Sequence, residues 1–324
     1  MTMHRREAFF ALAAAALVPR LSFAQVAGAI PVIGILGLGV EERSAYLREG
    51  LHKLGYTEGR NIRFEERVVG DRYERLVEVA NEFVQMRVNV IAALGSTAVQ
   101  VAAKATSTIP IVMVSGLDPV KAGLAASLAR PGGNVTGVSN IIQEIAPKRL
   151  ALTKEAVPGL RRVGVLWNPD SQGSVNSLAA TRDAAAALGL SLMVVEARSE
   201  SDFDSAFAAL AKERVRVFLV MAASMFALHR KRLLASAVSH GVAGVFSAPD
   251  MHDDGALLAF GASGSEPYRR MATYVDKILK GAKPGDIAIE QPTEFELVVN
   301  LRTAAAVGIK VPQSVLLQAH RVIR

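Results

Sequence analysis

The chain has no cysteine. Disulfide frameworks, thiolate metal sites and cysteine nucleophiles are therefore excluded. Tryptophan occurs once, as Trp167, and aromatic residues make up only 6% of the sequence. The tightest basic cluster, His229-Arg230-Lys231-Arg232, has no interleaved aromatics, and on a helix its members point in different directions; it reads as a solvated helix face. With no zinc-finger, helix-turn-helix or RNP motif either, no nucleic-acid partner is expected. Catalytic signatures are equally scarce. Gly34-Ile35-Leu36-Gly37-Leu38-Gly39 begins like a dinucleotide loop, but the third glycine would have to stand at Glu42, and the pattern fails. No Walker sequence and no G-x-S-x-G elbow occurs. His252-Asp253-Asp254 are adjacent, do not converge on one ion, and read as a polar turn. No cofactor, no metal and no enzymatic activity are expected.

What is present is the balance of a folded globular protein: 324 residues, 51% hydrophobic and 21% charged. At roughly 150 residues per domain this suggests two domains, with room for a cleft between them. The formal charge is +7, and it falls to +5 for a chain beginning at Gln25, because Arg5, Arg6, Arg20 and Glu7 lie ahead of that point.

Those first 24 residues read as an export signal. A basic start (Met1 to Arg6) leads into eleven apolar residues, Ala8 to Val18, and Pro19 ends the run before Ser22-Phe23-Ala24, a small-x-small cleavage site. Eleven helical residues span about 16 Å, far short of a ~30 Å bilayer core. Cleavage is expected between Ala24 and Gln25. Arg5-Arg6 with Phe9-Phe10 resembles a twin-arginine signal whose aromatic stands one position late, so Sec and Tat export both fit. With no cysteine to lipidate, the mature chain is expected in the periplasm, without membrane insertion.

From Pro31 onward β-branched runs alternate with helical patterns, which predicts parallel sheets flanked by helices. The first half carries strands at Val32–Leu36, Asn61–Glu66, Val90–Ala93, Ile111–Val114 and Thr136–Val138. Helices are expected at Glu41–Leu54, Tyr73–Met86, Thr97–Thr106 and Val120–Ala129. A helical turn, Ser139–Pro147, separates the halves. The second half repeats the rhythm, with strands at Val163–Trp167, Ser191–Val195, Val217–Met221, Val242–Phe246 and Leu257–Phe260, and helices near Gly173–Leu188, Asp202–Lys212 and Met225–His240. A tail adds a helix at Tyr268–Lys280, a strand at Phe295–Asn300 and a short helix at Arg302–Val307. The expected fold class is α/β: two doubly wound parallel-sheet lobes of similar size.

In open parallel sheets ligands sit beyond the carboxyl ends of the strands, where helix N-termini offer unpaired N–H groups. Strand three runs into Gly95-Ser96-Thr97, two hydroxyls at a helix start that can cradle a carboxylate or, for Ser96, simply cap the helix. Strand four leads to Asp118-Pro119, an N-cap with Pro at the first helical position, or a carboxylate facing a ligand ammonium. The corresponding second-half loops hold Asn168, Ser224 and Asp250. Trp167 can pack in the core or stack on a ligand.

Longer stretches resemble a known family. Gly50–Ile62 (GLHKLGYTEGRNI), Ile109–Met113 (IPIVM), Asp118–Val120, Ser127–Gly137 (SLARPGGNVTG), Val165–Pro169 (VLWNP), Tyr274–Pro284 (YVDKILKGAKP) and Gln291–Asn300 (QPTEFELVVN) are similar to segments of periplasmic substrate-binding proteins of ABC transporters, in the group related to tryptophan- and tyrosine-type binders. That resemblance implies a type I periplasmic-binding fold, with two lobes joined by a three-strand hinge. It divides the mature chain into residues 25–140, to which 262–290 return, and 141–261, to which 291–324 return. It also implies a small polar ligand, an amino acid or related carboxylate, handed as cargo of a monomeric protein to an ABC permease. Carried over by matching loops, Ser96 and Thr97 would hold the carboxylate, Asp118 the amine, and Asn140 would stand near the first crossover. Residues 246–254 depart from the pattern of that family, which often carries an aromatic and a basic residue there. A sensory module serving a receptor is the alternative reading; an exported α/β hydrolase, lacking a recognisable nucleophile and base, ranks below it.

Overall fold

The computed structural model describes residues 29–324 apart from 39–40, 68, 70–71, 141, 248–253 and 263; the expected export signal and Asp250 lie outside the described residues. The first sheet contains β1 (Val32–Gly37), β2 (Arg63–Glu66), β3 (Val90–Leu94), β4 (Ile111–Ser115) and β5 (Val135–Ser139). Their order is β2-β1-β3-β4-β5, parallel throughout. β-branched strand residues alternate between two buried faces, as they must when helices cover both sides. On one face Ile91, Ala93 and Met113 meet Leu76, Val79 and Phe83 of α2 (Tyr73–Gln85) and Val99 and Ala102 of α3 (Ser96–Ala105). On the other, Ile33, Ile35, Val90 and Val112 meet Leu47 and Leu51 of α1 (Glu41–Lys53) and Met271, Tyr274 and Val275 of α9 (Glu266–Leu279). The helices α1 and α9 cross so closely that a Cβ on Gly50 would lie 2.7 Å from the Arg269 carbonyl oxygen; only glycine fits there.

The second sheet has seven strands: β6 (Arg162–Trp167), β7 (Ser191–Glu196), β8 (Val217–Val220), β9 (Ala243–Phe246), β10 (Leu258–Gly261), β11 (Glu296–Asn300) and β12 (Arg321–Ile323). Their order is β12-β11-β10-β9-β8-β6-β7. Only β10 and β11 pair antiparallel. One face is covered by α4 (Ile142–Ala156) and α5 (Gln172–Leu188), and the other by α6 (Phe203–Lys212) and α8 (Arg230–Ser239). The chain passes between the sheets three times: after β5, after β10, and before β11. At the last passage Glu290 bridges to Val138, with Ser139 N–H donating to Glu290 O at 2.8 Å and Glu290 N–H to Gly137 O at 2.9 Å. The Arg270 guanidinium grips the Glu290 carboxylate with two hydrogen bonds of 2.7 and 2.8 Å.

Four expectations from periodicity need correction. No helix forms over 120–129: Asp118 starts a single turn, which Gly123 ends at φ 69°. The helix expected over Met225–His240 is two, α7 (Ser224–Leu228) and α8, divided at His229. The turn expected at Ser139–Pro147 belongs to α4, which runs on to Ala156 with Pro147 inside it. The tail also contains α11 (Gln313–Gln318), after α10 (Leu301–Ala306), and the edge strand β12.

Candidate functional site

A cleft of about 480 Å³ lies between the carboxyl ends of the two sheets. Its first wall comes from Arg43 and Tyr46 on α1, from Gly95, Ser96 and Thr97 at the start of α3, and from Ser115 at the end of β4. Gly95 takes φ 100° and α3 has no side-chain cap, so its first-turn N–H groups are left for the cleft. The Ser96 hydroxyl lies 3.2 Å from that of Ser115, which also accepts from Leu117 N–H at 3.0 Å. Asn140 N–H donates to Ser115 O at 2.7 Å. The Asn140 amide oxygen is buried without a hydrogen-bond partner.

The second wall is built from Ser171, the turn Met221 to Ser224, the α7 residues Phe226 and Leu228, and Arg230. Ser171 caps α5, accepting from Ser174 N–H at 3.4 Å, and donates to Ala222 O at 3.0 Å. The walls touch at the small residues. A Cβ on Gly95 would stand 3.1 Å from Ser224 Oγ, and one on Gly173 3.1 Å from Ala222 O and 3.5 Å from Ser96 Oγ. Four rings, Tyr46, Phe226, Phe246 and Tyr268, provide apolar lining. Arg43 lies 5.9 Å from the Tyr268 ring centroid, and Arg230 is paired with Asp254 at 2.5 Å. One helical turn beyond the cleft residue Ile145, Arg149 is fully buried and none of its three guanidinium nitrogens has a partner. Burial pushes its pKa down to about 10, which leaves it cationic at neutral pH. No cluster of three potential metal ligands occurs among the described residues, and no helix among them is long and apolar enough to cross a membrane.

Residues 35–323 match the family model described as ABC transporter substrate binding protein. The chain belongs to that family. Among its relatives is the tyrosine-binding protein of Clostridioides difficile, 25% identical over 262 residues, 81% of this chain and 75% of the relative. A conserved domain protein of Vibrio cholerae superposes with a TM-score of 0.83 at 27% identity, over 90% of this chain and 99% of that one. A domain from Streptococcus pneumonia in complex with L-Trp superposes with 0.82 at 24% identity over the same shares. This ABC transporter substrate-binding protein thus has the type I periplasmic-binding fold read from its sequence.

Of the residues singled out from sequence, Ser96, Thr97, Asn140 and Ser224 line the cleft. Asp118 does not. Its Oδ1 accepts from Val120 and Lys121 N–H at 3.0 and 3.2 Å, and its other oxygen lies 3.7 Å from Lys121 Nζ; the capping role took the carboxylate. Asn168 is buried and outside the cleft lining, its side chain accepting from Asp170 N–H at 2.8 Å. Trp167 packs against the second-lobe core. Sequence reasoning missed Arg43, Tyr46, Arg230 and Tyr268. A signal existed for the first two, because Arg43 and Tyr46 sit three apart on the helix that leaves β1 and so share a face. Arg230 was assigned to a solvated face, and the break at His229 re-aims it.

Proposed function

We propose that this protein captures a small polar ligand, an amino acid or related carboxylate, between its two lobes and delivers it unconverted to an ABC permease. The observation that carries this reading is the uncapped start of α3, where Ser96 and Thr97 face a cleft closed from the other lobe by Ser224. Backbone N–H groups and a helix dipole there favour a carboxylate. The tyrosine-binding relative and the L-Trp complex support an amino-acid-sized cargo. In this reading the jaws are residues 25–140 with 262–290, and 141–261 with 291–324, acting as a monomer. Residues 1–24 direct the chain to the periplasm. Ligand contacts to both jaws stabilise the shut form, which the permease recognises.

Titration calorimetry against a panel of amino acids and carboxylates, followed by solution scattering, tests the proposal. One saturable ligand per chain, a smaller radius of gyration on binding and no turnover are expected. A panel without any saturable ligand, or binding without contraction, overturns it.

A further inference from the structure

We infer that Gly173 is the closing stop of the jaws: its missing side chain lets the starts of α5 and α3 come to rest on each other, and so sets how far the lobes shut. This rests on the binding function proposed above and adds a positioning residue to it.

The space a side chain would need measures how near the lobes come. A Cβ on Gly173 would lie 3.5 Å from Ser96 Oγ of the opposite lobe, and 3.1 and 3.7 Å from Ala222 O and Cβ of its own. The Ala222 contact belongs to one lobe and persists at any jaw angle. The Ser96 contact exists only when the lobes meet. At 3.5 Å it is ordinary van der Waals separation, so one carbon fills the gap and a second is crowded. Backbone conformation does not ask for glycine here, because Gly173 is the second residue of α5 and is not left-handed. A glycine in helical conformation weakens its helix relative to alanine, and the space between the lobes accounts for its presence.

A second contact of the same kind stands beside the first. A Cβ on Gly95 would lie 3.1 Å from Ser224 Oγ, so the start of α3 meets the starts of both α5 and α7. That contact is a poor probe, since Gly95 takes φ 100° and both residues line the cleft. Gly173 is outside the lining, so a change there removes no ligand contact. Both contacts are made at backbone scale, where no long side chain can rotate aside, which gives closure a hard end point. Bulk added at 173 beyond the Cβ therefore opposes the shut form, and apparent affinity falls with the fraction of molecules able to shut.

The series Gly173→Ala and Gly173→Val tests this by calorimetry and solution scattering, with L-tyrosine and L-tryptophan as first probes and, if neither binds, the panel compound that saturates the parent. Gly173→Ala carries the crowding against Ala222 and should keep its affinity within about twofold. Gly173→Val adds two carbons beyond the Cβ and should bind about tenfold or more weaker, with a smaller contraction and the melting temperature of Gly173→Ala. Equal affinity in the two variants, or weaker binding with full contraction, overturns the inference. So does a lower melting temperature for Gly173→Val than for Gly173→Ala, which would place the crowding within one lobe. A cysteine pair tests the contact without any bound compound. Ser96→Cys with Gly173→Cys, in a chain that has no cysteine of its own, puts two thiols within disulfide reach. Oxidation with diamide should form one intramolecular disulfide and hold the radius of gyration at its shut value; absence of that cross-link overturns the inference. A parent that binds nothing in the panel defeats the proposed function instead, and the cross-link still decides the contact.

Discussion

The two lobes share an architecture and are fastened differently. Around the first sheet, charged and phenolic groups stitch the helices together. Arg48 reaches Glu58 and Glu66 at 2.7 and 2.8 Å, Arg269 reaches Glu49 at 2.9 Å, and Asp276 takes Tyr56 at 3.0 Å and Lys280 at 2.8 Å. Around the second sheet, which has ion pairs of its own such as Arg162–Glu213 and Arg230–Asp254, an aromatic chain is added. Phe207, Phe218 and Phe246 form a chain of ring contacts, with centroids 4.8 and 6.4 Å apart, and Phe203 meets Phe226 at 6.2 Å. Exposed ion pairs contribute little each and are screened by salt, while buried rings contribute through area and packing. The second lobe should therefore respond most to lost volume, and the first to pH.

The largest effect should come from Phe218→Ala. The side chain is fully buried between two other rings, and its removal is expected to destabilise the second lobe by about 3–5 kcal/mol in urea unfolding. A loss comparable to an exposed substitution would show that the aromatic chain does not hold the lobe. Next is Arg149→Met, which replaces a buried unpaired charge with an apolar chain of similar length. Stability should rise by about 1–4 kcal/mol, the range found when buried charges give way to apolar groups. A lower melting temperature would mean that the guanidinium has a stabilising partner.

Alkali should separate the lobes in the other direction. Burial, then the hydrogen bond and charge of Asp276, push the Tyr56 phenol up to about 12; burial, then the Glu290 carboxylate, raise that of Tyr274 further. A phenol whose pKa is higher folded than unfolded supports the fold fully below its unfolded value, near 10, and loses that support as pH climbs through the folded value. The melting temperature should therefore fall more steeply between pH 10 and 12 in the parent than in Tyr56→Phe. Parallel curves would remove Tyr56 as a cause. The smallest expected effect is that of Asp118→Ala, which should lower stability by about 1 kcal/mol through the lost cap and leave ligand affinity unchanged. Ser96→Ala should do the reverse, weakening the ligand with little change in melting; a fall in affinity for Asp118→Ala would return that residue to the site.

Much of this was legible in the chain itself. Strands such as Val90–Leu94 and Ile111–Ser115 are buried on both faces, so their unbroken apolar runs stand out, and glycines such as Gly189, left-handed at φ 65°, mark where helices stop. The loops that follow parallel strands brought Ser96, Thr97, Asn140 and Ser224 to the cleft. Illegible features depended on competition between local and distant bonds. Asp118 could serve its own turn or a ligand, and sequence spacing does not choose between them. Tyr268 and Arg230 reach the cleft only because α9 returns to the first sheet and because the helix breaks at His229; both are tertiary events. The segment 120–129 has helix-forming residues, but Gly123 ends the turn before a second can form.

The return of α9 to α1 carries a consequence for biogenesis. The face of the first sheet bearing Ile33, Ile35 and Val90 is covered in part by Met271, Tyr274 and Val275, which emerge from the ribosome long after β5. Until α9 has been made, that face is covered only in part, by Leu47 and Leu51 of α1. A nascent or truncated chain ending at Gly261 would thus present uncovered aliphatic surface, a foothold for chaperones until the last fifth of the chain arrives.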